Sequence, residues 1–307
     1  MKRTPRLVRV MHHTMSRALS LTLFAILAGA LLLGTSNAFA QDGPEPVGTA
    51  PAAAPATTPV APQSALTDPS QQKARKLIDQ MIVALGGQAW LTYKTMEQEG
   101  RSYSFFQGKP TSAGTLFWRF YEYPYKERRE LTKQRDVVYI YNGDKGYEKT
   151  FKGTAPEEDK VMQELIRRRE HSLEIVMREW LKDPQTILLY VGQKVADQQM
   201  VDVVSVLNKN NQELTIGIEI HNHLPINTLF SWRDPDKYKV EDETIFGNYR
   251  TVQGISTPYT ITRKRDGEIN GQNFLTHVEF NRTFEPGFFD AKVDYNPQTY
   301  NPREKKK

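Results

Sequence analysis

His221 and His223, one residue apart, fall on one side of an extended segment and supply half of a metal site. A catalytic zinc ordinarily takes three protein ligands, and no third lies nearby in sequence, so a solvated hairpin at 222–225 is the expected setting. His171 and His277 stand alone. Carboxylates cluster at Glu157, Glu158 and Asp159 and again at Glu241, Asp242 and Glu243, where no spacing singles out an acid–base pair. The chain has no G-x-S-x-G, no H-E-x-x-H, no P-loop and no G-x-G-x-x-G. With no cysteine, thiol nucleophiles, thiolate zinc sites and a lipid-modified N-terminal Cys are excluded. The expectation is a protein that is not an enzyme, with no catalytic residue, no metal and no cofactor. Only residues assembled by the fold would reopen the enzyme case.

Apolar side chains offer a different chemistry. Leu116, Trp118 and Phe120 share one face of a strand, while Phe117, Tyr121 and Tyr123 share the other. An exposed sheet does not need aromatics on both faces. Leu116, Trp118 and Phe120 are therefore candidates to line a ligand cavity, with an ordinary core plus surface tyrosines as the alternative. Val138 and Ile140, from a neighbouring strand, and Leu173, Val176, Met177 and Trp180, from a helix, are candidates for the same cavity. Amphipathic stripes also form plain core, which is the competing reading. Met and aromatic surfaces adapt to varied apolar partners. The basic runs at 167–169, 263–265 and 305–307 read as solvated faces, with acidic headgroups or a protein partner as the functional alternative.

The elements that must position these residues are mostly strands. Asp68 and Ser70 offer N-caps to a first helix, with Pro69 in its first turn. Ala74, Leu77, Ile78, Met81, Ile82 and Leu85 then recur at helical spacing until Gly86-Gly87 ends it. A second helix is expected over 156–182, broken near His171-Ser172 and closed by Asp183-Pro184. Elsewhere period-two alternation prevails, as in Leu214, Ile216, Ile218 and Ile220 interleaved with Thr215, Gly217, Glu219 and His221. Strand segments joined by turns such as Gly108-Lys109-Pro110 and Asp266-Gly267 imply antiparallel pairing without crossover helices. The fold class expected is α+β: a large curled antiparallel sheet of roughly ten strands, an unclosed β-barrel, covered by two helices.

Charge and composition set the boundaries. Five of the 41 Lys and Arg lie in residues 1–40, which hold no Asp or Glu, so the net +5 belongs to that segment. The rest is balanced, which excludes a nucleic-acid binder advertised by basicity. Basic residues, the apolar run 19–33 and A-F-A before Gln41 read as a cleaved secretory signal over 1–40, with Met11 or Met15 as other starts. An uncleaved anchor is the alternative, although the run falls short of the ~20 residues that span a bilayer. Residues 41–69 hold seven Pro and seven Ala and read as a disordered linker. A single domain over 70–294 and a charged tail over 295–307 complete the organisation. The periplasm is the expected location.

Several segments together resemble the outer-membrane lipoprotein-sorting (LolA-like) periplasmic proteins. These are KARKLIDQMIVALGGQAWL at 73–91 with EQEGR at 97–101, YEYPYKERRELT at 121–132 and VYIYNGDKGYEKT at 138–150. NYRTVQGISTPYTITRKRDGE at 248–268 and FNRTFEPGFFDAK at 280–292 follow in the same order. Each is a strand–turn–strand pattern, and their order along the chain is the signal. The resemblance implies an unclosed β-barrel whose concave side holds apolar chains under a helical lid. It implies a carrier of lipid or lipoprotein acyl chains; a monomer that makes transient membrane contact is the accompanying expectation. It identifies no individual binding residue. A cell-envelope assembly adaptor or scaffold, with a filled core and an envelope protein partner, stays open as the alternative.

Overall fold

The computed structural model describes residues 68–294. The signal, the linker up to residue 67 and the charged tail lie outside them. Helix α1 (Pro69–Leu85) starts as its sequence dictates, the Asp68 carboxylate accepting a hydrogen bond from the Ser70 N–H at 2.8 Å. It ends at Gly86, whose φ of 124° suits glycine. A short α2 (Gln88–Thr92) leads into the sheet.

Seven strands follow: β1 (Thr95–Phe106), the two-residue β2 (Lys109–Pro110), β3 (Thr115–Glu122), β4 (Lys126–Leu131), β5 (Val137–Asn142), β6 (Lys145–Thr150) and β7 (Gly153–Pro156). Helices α3 (Asp159–Glu170) and α4 (Leu173–Arg178) come next, parted at His171-Ser172, with a 3₁₀ turn over Trp180–Lys182. The Ser172 hydroxyl caps α4 by accepting from the Ile175 N–H. The second half is a meander of β8 (Ile187–Ala196), β9 (Gln199–Leu207), β10 (Glu213–Glu219), β11 (Pro225–Arg233), β12 (Lys239–Val252), β13 (Ile255–Arg265) and β14 (Glu268–Phe280).

All pairings are antiparallel, in one fourteen-stranded sheet of order β7-β6-β5-β4-β3-β1-β14-β13-β12-β11-β10-β9-β8, with β2 paired to β1. Roughly ten strands were expected and fourteen form; β2 and β7, two and four residues long, are too short to show alternation. The β1–β14 pairing joins two arms, and the outermost strands, β7 and β8, remain unpaired with each other. The segment between those two edges is the α3–α4 crossover. It must pass from one arm to the other, which is why it covers the concave face.

One end of that face is packed. Ala74, Leu77, Ile78, Met81 and Leu85 of α1 meet Leu188, Val204, Val206, Leu214, Ile216 and Ile218 in a single apolar core. Each of the larger side chains contributes about 1.5–3 kcal/mol when fully buried. Leu173, Ile175, Val176, Met177 and Trp180 enter the same core. The convex side of the other arm is covered too. Phe284, Phe288 and Phe289 lie in the segment after β14, and Phe284 and Phe288 meet Phe120 edge-on at 5.8 and 5.1 Å between ring centres. Asp294 accepts the Thr154 N–H at 2.6 Å.

Candidate functional site

The other end of the concave face is hollow. A cavity of about 280 Å³ lies between α3, the start of α4 and strands of both arms. Tyr121, Glu127 and Tyr141 line it from β3, β4 and β5, while Phe230, Thr244 and Arg263 line it from β11, β12 and β13. Strands so distant in sheet order share one cavity only because the sheet curls. An open groove of about 950 Å³ also runs along the outward face of α1, but Arg75, Lys76, Asp79 and Gln80 make that a solvated helix face.

Strand alternation decides which candidate residues reach the cavity. Tyr121, Glu127 and Tyr141 form one cross-strand row facing it. The adjacent row, Phe120, Arg128 and Ile140, and the next but one, Trp118, Glu130 and Val138, face the convex side. Leu116, Trp118, Phe120, Val138 and Ile140 therefore do not line the cavity, correcting the sequence expectation. Phe120 packs under Phe284 and Phe288, and the Arg135 guanidinium stacks 4.0 Å above Trp118. The physical reason is that both faces of β3 are covered, one by the cavity and one by the segment after β14. Apolar character on both faces thus carries no information about which face points inward. Among the helix candidates, Leu173 borders the cavity, while Val176, Met177 and Trp180 are fixed in the packed core.

The cavity lining is as much charged as apolar. Arg119 on β3 donates to Glu127 at 2.8 Å and to Gln98 at 3.2 Å, and Arg129 donates to the second oxygen of Glu127 at 2.7 Å. Burial alone would raise the Glu127 carboxyl, but the two guanidinium groups outweigh it and hold it far below the ordinary carboxylate range. Burial would likewise lower Arg119, and Glu127 reverses that, so its pKa is raised. Across the cavity, Glu243 accepts from Asn227 at 2.6 Å and lies 3.6 Å from Lys264. Glu174 accepts from the Tyr93 hydroxyl at 3.3 Å.

Helix α3 is held by polar clasps at both arms. Glu164 accepts from Arg265 at 3.1 Å, and Arg265 also donates to Asp242 at 2.9 Å. Arg167 stacks 3.6 Å above the Trp232 ring, whose Nε1 donates to Asp242. At the opposite arm, Arg169 donates to the Tyr125 carbonyl at 3.3 Å and lies over that ring. The apolar hold includes Met162, which sits where a Cβ on Gly146 would otherwise stand. The basic runs at 167–169 and 263–265 are therefore clasp and cavity residues and not solvated faces. Sequence reasoning missed them because the partners lie far away; Glu164 and Arg265 are 101 positions apart. One signal was present: in F-W-R-F-Y, Arg119 interrupts an otherwise aromatic face.

Helix α4 is held differently. Arg178 is buried, donates to the Tyr93 carbonyl at 2.9 Å and to the Trp90 carbonyl, and stacks on the Tyr93 ring at 4.0 Å. His171, at the joint, stacks on Phe230 at 4.3 Å and hydrogen-bonds through Nδ1 to the Arg167 carbonyl; burial lowers its pKa. His221 and His223 occupy the 220–224 turn. The Glu219 carboxylate accepts the N–H groups of His221 and Asn222; His221 is exposed, whereas His223 is half-buried and its Nδ1 is buried without a hydrogen-bond partner among the described residues. His277 is exposed on β14. Among the described residues, no group of three His, Cys, Asp or Glu could hold a metal.

No family profile and no curated protein matches the sequence. A DUF1329 family protein from Desulfovibrio piger superposes over 73% of this chain and 98% of its own, with a TM-score of 0.51 at 11% identity. The two share a fold. A LolA superfamily protein from Nitrosomonas europaea covers 72% of this chain and 98% of its own, with a TM-score of 0.43 at 10% identity. The curled sheet with a helical crossover is the architecture that the sequence resemblance implied.

Proposed function

We propose that this protein is a non-enzymatic carrier, exported to the periplasm, that holds the acyl chain of a lipid or lipoprotein in the concave cavity beneath α3. The observation that carries this reading is a cavity roofed by a helix whose clasps are largely ion pairs and cation–π contacts at its rim. Exposed polar clasps contribute little each and reopen readily, whereas a helix locked by core packing does not. The cavity volume is near the lower end of the range typical of ligand sites. A chain of roughly fifteen methylenes costs about 12 kcal/mol to leave in water, and that is what would drive it into the cavity with α3 displaced. The edge strand β8 supports a second reading, the assembly adaptor. The strand carries Val191 and Val195, 64% and 65% exposed, as a surface for a protein partner.

Lipid analysis separates the two. Protein extracted natively and examined by mass spectrometry is expected to bring lipid with it in a fixed ratio. Repeated recovery of folded protein without lipid would overturn the carrier and favour the adaptor.

A further inference from the structure

The carboxylates lining the cavity all have partners. Glu127 is held by Arg119 and Arg129, Asp242 by Arg265 and Trp232, Glu243 by Asn227 and Lys264, and Glu174 by the Tyr93 hydroxyl. Arg263 is left over. It points from β13 into the cavity, and among the described residues its guanidinium makes no ion pair and no side-chain hydrogen bond. Its residue is partly buried in the lining of the cavity. Its charged neighbours worsen its position. Burial, then the charges of Arg168, Arg129 and Arg119, push its pKa down to about 9, and Glu127 offsets this only in part. A guanidinium stays charged at neutral pH. An enclosed charge without a partner is unfavourable unless a ligand supplies the opposite one.

We propose that the cavity contains a subsite for the single anionic group, carboxylate or phosphate, of an amphiphile, with Arg263 as its direct contact and Arg168 closing on it from α3. This deepens the carrier reading and rests on it. The forked donors of a guanidinium match a carboxylate or phosphate in two parallel hydrogen bonds. The apolar part of the ligand then lies toward Leu165, Leu173, Phe230 and Phe246, which line the same cavity. A neutral amphiphile leaves Arg263 enclosed and unpaired. The protein thereby selects by headgroup charge as well as by chain.

The test is isothermal titration calorimetry of the full-length protein with four probes: dodecanoate, dodecyl phosphate, neutral monododecanoyl glycerol and inorganic phosphate. The two anionic chains are expected to bind about tenfold or more tighter than the neutral one, the scale of one charge-assisted hydrogen bond. Arg263→Gln should abolish that preference and leave the neutral affinity within about twofold, while Arg263→Lys keeps most of it. Arg168→Gln, on the partly exposed α3, should reduce the preference by a smaller factor and carries the test if Arg263→Gln does not fold. Equal binding of neutral and anionic chains overturns this inference and leaves the carrier standing. A preference that survives both Gln variants also overturns it. Inorganic phosphate binding alone, with no chain bound, overturns the carrier and the amphiphile while an anion site remains. No binding of any probe overturns both.

Discussion

At the β8–β11 end of the concave face, α1 sits on Val204, Val206, Leu214 and Ile216, side chains that are wholly buried. At the β3–β5 end, the facing positions are Arg119, Tyr121, Glu127, Arg129 and Tyr141, and the space in front of them is open. One sheet thus carries a filled core and a hollow polar chamber side by side. The crossover repeats the contrast, since α4 is anchored by buried Arg178 and core side chains while α3 is clasped at its rim. Interiors packed to native density have no room for a guest. Separating the two ends lets the packed one carry stability while the hollow one stays unfilled.

If the hollow end depends on charge, its most damaging change is the one that unbalances it. Glu127→Gln leaves Arg119 and Arg129 without their shared carboxylate and should cost about 3–5 kcal/mol in urea unfolding at pH 7. The pH dependence follows from the lowered carboxyl. Its contribution is complete above the ordinary value of 4.5 and is lost as pH falls toward the much lower folded value. The gap between wild type and variant should therefore narrow progressively below about pH 4.5. A gap that is constant from pH 7 to 3 would mean that the Arg119–Glu127–Arg129 cluster is not what holds that end.

The packed end should respond to volume and be indifferent to pH. Leu214→Ala is expected to cost about 2–5 kcal/mol through lost burial and the cavity left behind. Headgroup preference in the chamber should be unchanged. If Leu214→Ala also altered ligand preference, the two ends would not be independent, and the division drawn between them would fail.

The packed end was legible in the sequence and the chamber was not, for one physical reason. Leu214, Ile216 and Ile218 alternate with smaller or polar residues because the large apolar side chains of β10 all face the core under α1, while Gly217 and Glu219 on the other face are buried beside Val201 and Val203. The stripe of α1 and its Asp68 cap follow from local spacing in the same way. On β3 the alternation is erased, since Phe120 faces Phe284 and Phe288 while Phe117 and Tyr121 face inward. A residue such as Arg263 gives no local sign of its setting. R-K-R on a strand looks like a surface until β3, β4 and α3 are brought around it, and nothing within the run encodes those contacts.

The smallest expected effect bears on α3 alone. Glu164→Gln removes two ion pairs, the one to Arg265 and the one to Arg168 at 3.4 Å within α3, all three side chains being about one-third exposed. Such pairs contribute about 0–1 kcal/mol, so the melting temperature should hardly move. Arg265 keeps Asp242 at 2.9 Å, so no buried charge is stranded. Local opening is governed by different contacts from global unfolding, and amide exchange reports it separately. Amides in 159–170 should therefore exchange faster in the variant, while those of α4, anchored by Arg178, should not. Added salt should accelerate wild-type exchange over 159–170 toward the variant's rate, because screening weakens the same pairs. Parallel acceleration of α3 and α4 would mean that the crossover opens as one piece, and α3 would then be a part of the core that merely happens to lie at the surface.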